Sequence, residues 1–397
     1  MDRRDFMKTS LLAMGTMLTS KLQSSNLLTM IEKDVTYRRL ATGERISSIG
    51  VGASNLGMSS DKDIERIIDI ALDRGVNFID TIVSDDRSVA PVAKAIQGKR
   101  DKVLLQMHIG AHYPRHIYSI TRNPETAKKA FQEELRKFNT DYADIALIHM
   151  IDSESDFRRI VDSGILDHAQ QLKRDGVIRN LGFSSHAPAV ARKVIEAYKM
   201  DAVMLDINAA YDFAPEGNDL TLSEERAALY RECQKRGMAI TVMKTFAGGR
   251  LLHKDTSPFG LAMTPYQCIQ YALDRPAVVS CLIGVSTPTE MENTLDFYNA
   301  PEKEKDYSFI GALTFKNVTG TCLYCNHCQP CPANINIGTM NKYLDLGKSG
   351  DTLAIDHYAK LEYHASDCID CGACETRCPF HVKVRDRIAE AKKFFGK

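Results

Sequence analysis

The stretch ADIALIHMI (143–151) and the segment GILDHAQQLKRDG (164–176) that follows it decide the fold of this chain. The first is a short apolar run with the length of a buried strand, and the second carries apolar residues at helical spacing. Together they predict one strand–helix unit of an α/β protein. The fold then depends on how often this unit recurs.

Working outward from 143–176, the same unit recurs on both sides. Predicted strands and helices pair as 46–54 with 63–75, 77–82 with 88–98, 103–110 with 123–139, 143–151 with 164–176, 178–186 with 188–199, 202–211 with 223–237, 238–249 with 264–276, and 278–286 with 288–300. Eight units in about 255 residues are the count and size of a (β/α)8 TIM barrel. A doubly wound open sheet is the alternative, but it would carry a G-x-G-x-x-G fingerprint after its first strand, and none stands there. We therefore predict a barrel over 35–300 that opens with a hairpin at 35–47, with catalytic groups at the carboxyl ends of its strands.

Eight of the 11 cysteines lie in two runs after residue 300, TCLYCNHCQPCP (321–332) and DCIDCGACETRCP (367–379). The second run matches C-x2-C-x2-C-x3-C-P, the bacterial ferredoxin run, whose fourth cysteine ligates the other of two clusters. In the first run, two residues instead of three separate the third and fourth cysteines. Whether the fourth cysteine of the first run also ligates the other cluster is therefore left open. The predicted ligands are Cys322, Cys325, Cys328, Cys331, Cys368, Cys371, Cys374 and Cys378.

The spacing of these cysteines fits two metals, iron and zinc. Paired C-x2-C motifs also build zinc sites with four cysteine ligands, so zinc is the alternative. Four cysteines followed by proline, twice, favour iron. We predict two [4Fe–4S] clusters in a small, mostly α-helical ferredoxin-like domain at 301–397. The other cysteines, Cys233, Cys268 and Cys281, lie in helix or strand patterns and are expected to pack in the core.

The balance of charged residues and the amino-terminal sequence indicate the partners and the cellular location of the protein. The chain has 397 residues with 51 acidic and 51 basic side chains, which favours neither nucleic acid nor a membrane surface as a partner. It begins MDRRDFMKTSLLAMGTMLTS (1–20), where Arg3 and Arg4 precede an uncharged run. This pattern resembles a twin-arginine signal, and the run is shorter than the roughly 20 residues of a membrane span. We expect a signal segment at 1–30, export by the twin-arginine route to the periplasm, and no stable span; a disordered basic tail is the alternative.

Five stretches resemble the aldo-keto reductase family, in the order of its barrel strands. They are YRRLATGERISSIGVG (37–52), RGVNFIDT (74–81), DYADIALIHM (141–150), RNLGFSS (179–185) and IGVSTPTEMENTL (283–295). The resemblance covers roughly 35–300, and the cysteine runs resemble the iron–sulfur branch of that family. It implies a barrel that uses NADP(H) and an Asp–Tyr–Lys–His tetrad whose Tyr is the general acid.

The tetrad is only half present. Asp80 and His149 fall on the family's Asp and His, whereas Asp85 stands at its Tyr and His108 at its Lys. A carboxyl with a reference pKa of about 3.9 cannot replace a phenol of about 10 as a proton donor unchanged. We expect these four side chains to converge at the barrel mouth, with His108 or His149 as the proton-transfer group, because imidazole titrates near neutrality. The alternative for each histidine is a purely structural role.

The nicotinamide side also departs from the family. Ser185 stands at the carboxamide-binding Asn, Met204 or Leu205 at the Gln, and no aromatic residue lies near Met243 to stack on the ring. A phosphate and adenine pocket persists in outline, and Lys244 ends a predicted strand, where it can contact an anion. The candidate cofactor-binding residues are Ser184, Lys244, Gly248, Gly249, Ser286 and Asn293. The use of NADP(H) as a cofactor is therefore left open, and we expect its binding to be weak or absent.

Three hypotheses about function follow. The first is an exported iron–sulfur oxidoreductase that acts on a small polar, sugar-like carbonyl or alcohol, with electrons passing through the clusters from or to a partner protein. The second is an NADP(H)-dependent aldo-keto reductase with an altered tetrad. The third is a non-catalytic electron-transfer or scaffold protein with a degenerate barrel.

Overall fold

The structure, a computed structural model, describes residues 30–32, 35–81, 86–114, 117–216, 219–313 and 318–397. The predicted signal segment (1–30) lies outside the described residues except for Met30, and Asp85 lies outside them as well. Within the described part of the chain, no helix has both the length and the apolar character that crossing a membrane requires.

Eight parallel strands close into a barrel, which confirms the predicted (β/α)8 fold. They are β1 (Ile49–Gly52), β2 (Phe78–Asp80), β3 (Leu104–Ile109), β4 (Ala143–Ile148), β5 (Ile178–Ser185), β6 (Ala202–Asp206), β7 (Ala239–Met243) and β8 (Val278–Ile283). Each strand pairs with its neighbours in chain order, and β8 pairs with β1 to close the ring. We call the face at the carboxyl ends of these strands the mouth.

The helices of the barrel follow the predicted periodicity. They are Asp61–Asp73, Asp86–Ala95, Pro124–Lys137, Glu154–Asp162, Ile165–Arg174, Pro188–Ala197, Glu224–Lys235, Pro265–Leu273 and Pro288–Leu295. Asn123 caps the third of them by accepting a hydrogen bond from the Thr126 N–H, and Pro124 is its first residue. Of these helices, Glu154–Asp162 is the one that was not predicted; its apolar residues are Phe157, Ile160 and Val161, and Ile160 is the buried one.

Apolar side chains pack in two layers around the strands. One layer lies inside the barrel and includes Phe78, Leu104 and Leu282; the other lies between the strands and the helices. The hairpin of Val35–Arg39 with Arg45–Ser47 adds Ile46 to the inner layer and so closes the end opposite the mouth. Other short strand pairs are Met30–Glu32 with Val35–Arg39, Ala111–His112 with Ser119–Ile120, and Phe213–Glu216 with Asp219–Leu222.

The carboxyl-terminal residues 318–397, here called the tail, are mostly helical, as predicted. The tail helices are Ile337–Lys348, Thr352–Ala359, Ala373–Arg377 and Val384–Phe395, and two further short helices, Ala209–Asp212 and Glu302–Lys305, precede the tail. The apolar core of the tail includes Met340 and Leu344, and it continues into Tyr211 and Leu251, which follow β6 and β7. The tail therefore packs on the mouth of the barrel.

Candidate active site and cysteine cavity

Asp80, the last residue of β2, lies at the centre of a buried polar group. Because side chains alternate along a strand, Asp80 shares the inward face of Phe78, and His108 shares that of Leu104. The Asp80 Oδ1 accepts a hydrogen bond from Gln106 Nε2 at 2.6 Å and lies 2.9 Å from His108 Nε2. Asp80 and His108 are each 2% exposed and Gln106 is fully buried. The structure therefore brings the predicted Asp and the first histidine together.

His149 follows β4 and continues this polar group towards the tail. Its Nδ1 lies 3.0 Å from His108 Nδ1, and its Nε2 lies 2.5 Å from the Tyr118 hydroxyl. That hydroxyl also lies 2.9 Å from Nε2 of His357, a residue of the tail. Four consecutive hydrogen bonds thus join Asp80, His108, His149, Tyr118 and His357, which we call the acid–base chain.

Sequence reasoning missed Tyr118 and His357. Tyr118 directly precedes the short strand Ser119–Ile120, after β3, and the only signal for it was a tyrosine in a segment that follows a strand end. His357 lies in the tail helix Thr352–Ala359 and had no signal, because its contact with Tyr118 depends on how the tail packs. Arg122 holds the neighbouring backbone by donating to the carbonyl of His149 at 2.9 Å.

Burial favours the uncharged forms of His149, Tyr118 and His357. It lowers the pKa of His149 well below the ordinary value, and the charge of a protonated His108 would lower it further. Burial likewise lowers the pKa of His357 and raises that of Tyr118. At neutral pH His149 and His357 are therefore neutral imidazoles, and Tyr118 is a protonated phenol.

A second polar pair lies beside the chain, at the ends of β4 and β5. His186 Nδ1 lies 2.9 Å from Asp152 Oδ2, and the ring centre of His186 is 5.5 Å from that of His357. Burial alone would raise the pKa of Asp152, but the charge of His186 and its hydrogen bonds hold that pKa well below the usual range. Ser184 accepts a hydrogen bond from the Met150 N–H at 2.8 Å, and thus fixes the backbone next to His149.

The cationic residues at the end of β7 are paired with carboxylates of the tail. Lys244 forms an ion pair with Asp351, and Arg250 Nη1 lies 3.3 Å from Asp345 Oδ2. Gly248 is in contact with the tail too, since a Cβ there would lie 2.4 Å from Leu346 Cδ2. Lys244 has a left-handed backbone (φ 59°), which few non-glycine residues adopt.

Of the other predicted cofactor-binding residues, Gly249 follows β7, Ser286 follows β8 and Asn293 lies in the helix after β8. The Ser286 N–H donates to Glu290 Oε2 at 2.7 Å, and the Ser286 carbonyl accepts from the Ser59 hydroxyl at 2.7 Å. Asn293 is exposed, and Gly249 has φ 87° with nothing within 4 Å of an added Cβ. The Glu290 carboxylate therefore already accepts the hydrogen bond of the Ser286 N–H, which the expected phosphate pocket would use.

The end of β6 carries a buried ionic network that also reaches the tail. Asp206 is 1% exposed and pairs with Lys342 of the tail helix Ile337–Lys348. Arg226 lies 3.4 Å from Asp206 and 2.7 Å from Asp212, and all of these groups are buried. Removing one member of such a network leaves a charge buried without its partner, which is strongly destabilising. The network thus anchors the tail on the mouth.

The two cysteine runs meet in the tail. Cys322, Cys325 and Cys328 of the first run line one cavity together with Cys378, the last cysteine of the second run. Such sharing is how the fourth cysteine acts in two-cluster ferredoxins. Burial raises the pKa of Cys328 to about 12, so its thiol needs a nearby cation to ionise.

The other cysteines of the two runs differ in exposure, and Cys374 is buried. Cys371 is exposed, whereas Cys331 and Cys368 are partly exposed. Among the described residues, no three His, Cys, Asp or Glu side chains surround a single metal-ion position. The thiols that share the cavity with Cys378 have instead the chemistry and grouping of cluster ligands.

Comparisons with known proteins agree with both parts of the structure. The sequence pattern of the Aldo/keto reductase family matches residues 48–263, more than half of the 397 residues. The chain belongs to the aldo/keto reductase family. This aldo/keto reductase also matches the 4Fe-4S binding domain at residues 361–383, which contain the second cysteine run. It is therefore an oxidoreductase with an iron–sulfur domain.

This aldo/keto reductase is similar to known proteins in sequence and in structure. The chain is 24% identical over 287 residues to the "Uncharacterized oxidoreductase YqkF" of Bacillus subtilis (strain 168), covering 66% of this chain and 91% of that protein. The aldo-keto reductase AKR11C1 from Bacillus halodurans superimposes in its holo form with a TM-score of 0.57 at 21% identity, covering 70% of this chain and 96% of that one. Its apo form gives 0.52 with the same identity, covering 70% and 95%. At these identities the likeness supports the fold, and the site must be argued from its own residues.

Proposed function

We propose that this aldo/keto reductase is an exported iron–sulfur oxidoreductase that interconverts a small polar alcohol and its carbonyl compound, with electrons passing through two [4Fe–4S] clusters. The observation that carries the proposal is the position of the tail, which lies on the mouth and contributes His357 to the acid–base chain. A cysteine-rich tail in contact with the proton-transfer groups puts electron exchange and proton exchange in one part of the molecule.

Tyr118 is the proposed proton donor to the substrate oxygen. The family's Tyr position holds Asp85, but the Tyr118 hydroxyl lies 2.5 Å from His149 Nε2 and so restores a phenol beside the family's His. Reducing a carbonyl to an alcohol takes two electrons, which would come from the partner protein, and two protons, one on oxygen and one on carbon, both drawn from water. Tyr118 supplies the proton on oxygen, and in alcohol oxidation it accepts that proton.

The number of clusters is inferred from the ligands. Eight cysteines in two runs can hold two four-iron clusters, and the cavity shared by Cys378 and the first run favours the exchange of ligands seen in two-cluster ferredoxins. Bound clusters would supply electrons one at a time. Tyr324, between Cys322 and Cys325, has its ring centre 5.4 Å from that of Tyr211, which follows β6. An aromatic contact thus joins the first run to the mouth.

The tail also occupies the groups that a nucleotide would need. Lys244 and Arg250 are the cations at the end of β7, and both are neutralised by tail carboxylates, Asp351 and Asp345. A phosphate at Gly248 would have to displace Leu346. Free NADP(H) would therefore bind only after displacement of the tail, which favours electrons over hydride as the reducing equivalent.

A polyhydroxylated, sugar-like substrate suits the polar groups between barrel and tail. The hydroxyls of Tyr211 and Tyr343 are buried and have no hydrogen-bond partner among the described residues. An unsatisfied buried hydroxyl costs about 1–3 kcal/mol, so a ligand hydroxyl would be favoured there. The ring of Tyr343 lies 5.8 Å from that of His357, next to the acid–base chain.

Export and an electron-transfer partner complete the proposal. The twin-arginine pattern at residues 1–20 is its basis, because that route carries folded proteins with their cofactors in place. A periplasmic enzyme would not meet a free nicotinamide pool, which agrees with the use of clusters. The exposed Cys371 marks the part of the tail from which a partner protein would exchange electrons.

The test uses the full chain purified without oxygen. Iron and sulfide are counted, and turnover of a panel of sugars, polyols and their carbonyl forms is measured with artificial one-electron carriers. Tyr118→Phe should lower kcat by about 10²–10⁴-fold, the usual contribution of a positioned acid or base. Tyr142→Phe, at the start of β4 and away from the mouth, is the matched control and should leave kcat unchanged.

Two outcomes would select the other hypotheses. Micromolar binding of NADPH by calorimetry, with hydride-dependent turnover, would replace the proposal with an NADP(H)-dependent reductase of altered tetrad. Full iron content with no turnover of any substrate, and full electron exchange with the carriers, would indicate a non-catalytic electron-transfer protein.

A further inference from the structure

We propose that His357 of the tail is one end of a proton relay that runs through Tyr118, His149 and His108 to Asp80. The inference rests on the proposed function, because His357 can return a proton to Tyr118, the proton donor of that reaction. It adds a residue that no strand-end position predicts and gives the contact between tail and barrel a chemical role. His357 is a relay residue, since it acts through Tyr118.

The donor direction follows from the hydrogen bonds. A carboxylate only accepts, so His108 donates to Asp80 from Nε2, and its Nδ1 must accept in the neutral ring. His149 then donates from Nδ1, and its Nε2 accepts the Tyr118 hydroxyl proton. The Tyr118 oxygen is left to accept from His357 Nε2–H. All four bonds therefore point the same way, from the tail to Asp80.

This arrangement can move one proton without moving any heavy atom far. A proton taken up at Nδ1 of His357 releases the proton of Nε2 to Tyr118, whose own proton passes to His149 Nε2. His149 then releases its Nδ1 proton to His108, which releases its Nε2 proton to Asp80. One proton enters, one arrives, and no other bond changes. The transfer in the opposite direction returns the chain to its starting state.

The surroundings of His357 suit a group that takes up and releases protons. Its ring lies 5.5 Å from that of His186 and 5.8 Å from that of Tyr343. The charged and titratable groups that face it from the barrel and the tail are Asp152, Lys244, His186, Tyr118, His149, Tyr343 and Asp351. Burial makes the neutral ring the resting form of His357, and the carboxylates of Asp152 and Asp351 favour its protonated form during a transfer.

Hydrogen–deuterium exchange at the buried imidazoles tests the relay. Histidine-labelled, oxidised protein with its clusters is followed by nitrogen NMR, which also reports the tautomers. His357→Gln keeps an N–H donor to Tyr118 but cannot pass a proton on. We expect it to slow exchange of His149 Nδ1–H and His108 Nε2–H by about 10²-fold, the scale of acceleration by a positioned carrier. Tyr118→Phe should slow the same two sites.

The direction of the effect separates a relay from a structural role. Loosening of the fold would speed exchange, so slower exchange with unchanged backbone amide exchange in β3 and β4 supports the relay. Unchanged or faster exchange overturns it, as does a His149 ring protonated on Nε2 instead of Nδ1. His253→Gln, at a histidine outside the chain, is the matched control. Exchange is measured without substrate, so an absence of turnover would remove the proposed function separately.

Discussion

The protonation state of Glu134, which is buried behind Asp80, provides a quantitative test of the structure. This residue lies on the helix Pro124–Lys137, is 3% exposed, and its Oε1 accepts a hydrogen bond from the Thr81 hydroxyl at 2.7 Å. Burial raises the pKa of Glu134 to about 8; the Thr81 hydrogen bond opposes this, and the charge of Asp80 adds to it. Glu134 is therefore a neutral acid at pH 7.

The pH dependence of stability follows from that pKa. Between pH 4.5, the ordinary value for Glu, and about 8, the folded protein holds a proton that the unfolded chain has released. The folded state thus binds more protons, and stability falls as pH rises through this window. From pH 5 to 8 the fall amounts to about 3–4 kcal/mol, at 1.36 kcal/mol for each pKa unit. Glu134→Gln keeps the shape of the neutral acid and removes this loss.

The assay is anaerobic urea unfolding at pH 5, 6, 7 and 8. Glu134→Gln should match the wild type at pH 5 and exceed it by about 3 kcal/mol at pH 8. Glu133→Gln, on the same helix but partly exposed, is the control and should follow the wild-type curve. The reasoning is wrong, and Glu134 is charged in the folded protein, if Glu134→Gln is less stable than the wild type at pH 8. The same conclusion follows if the difference in stability between the two proteins does not change with pH.

Three further predictions concern the tail and export. Cys378→Ser should remove about four of about eight irons, because this thiol lines the cavity of the first run, whereas Cys233→Ala should keep them all; equal loss in both would contradict this. Asp206→Asn should destabilise the folded protein by about 3–5 kcal/mol, since it leaves buried cations without their partner, and protease should then release the tail first; an unchanged digestion pattern would contradict an anchor there. Replacing Arg3 and Arg4 with lysine should keep the protein in the cytoplasm, as cell fractionation would detect, and continued export would exclude the twin-arginine route.

Parts of the site could be placed before the structure because their signals are local. Asp80 and His149 stand at strand ends, which the alternation of strands and helices locates. Asp85 was placed by the same reasoning but lies outside the described residues, and the catalytic roles of all these residues stay predictions. Tyr118 and His357 could not be found this way, since Tyr118 lies 31 residues from His149 and 239 residues from His357 along the chain.

The sequence by itself determined the barrel, the iron–sulfur tail and the half-altered tetrad. Each depends on spacing over a few residues: period in strands and helices, two-residue gaps between cysteines, and residue types at strand ends. Only the tertiary structure decided that the tail lies on the mouth, where it neutralises Lys244 through Asp351 and adds His357 to the acid–base chain. Such contacts arise from apolar packing and buried ion pairs between segments far apart in the chain, and no local pattern of residues encodes which surfaces meet.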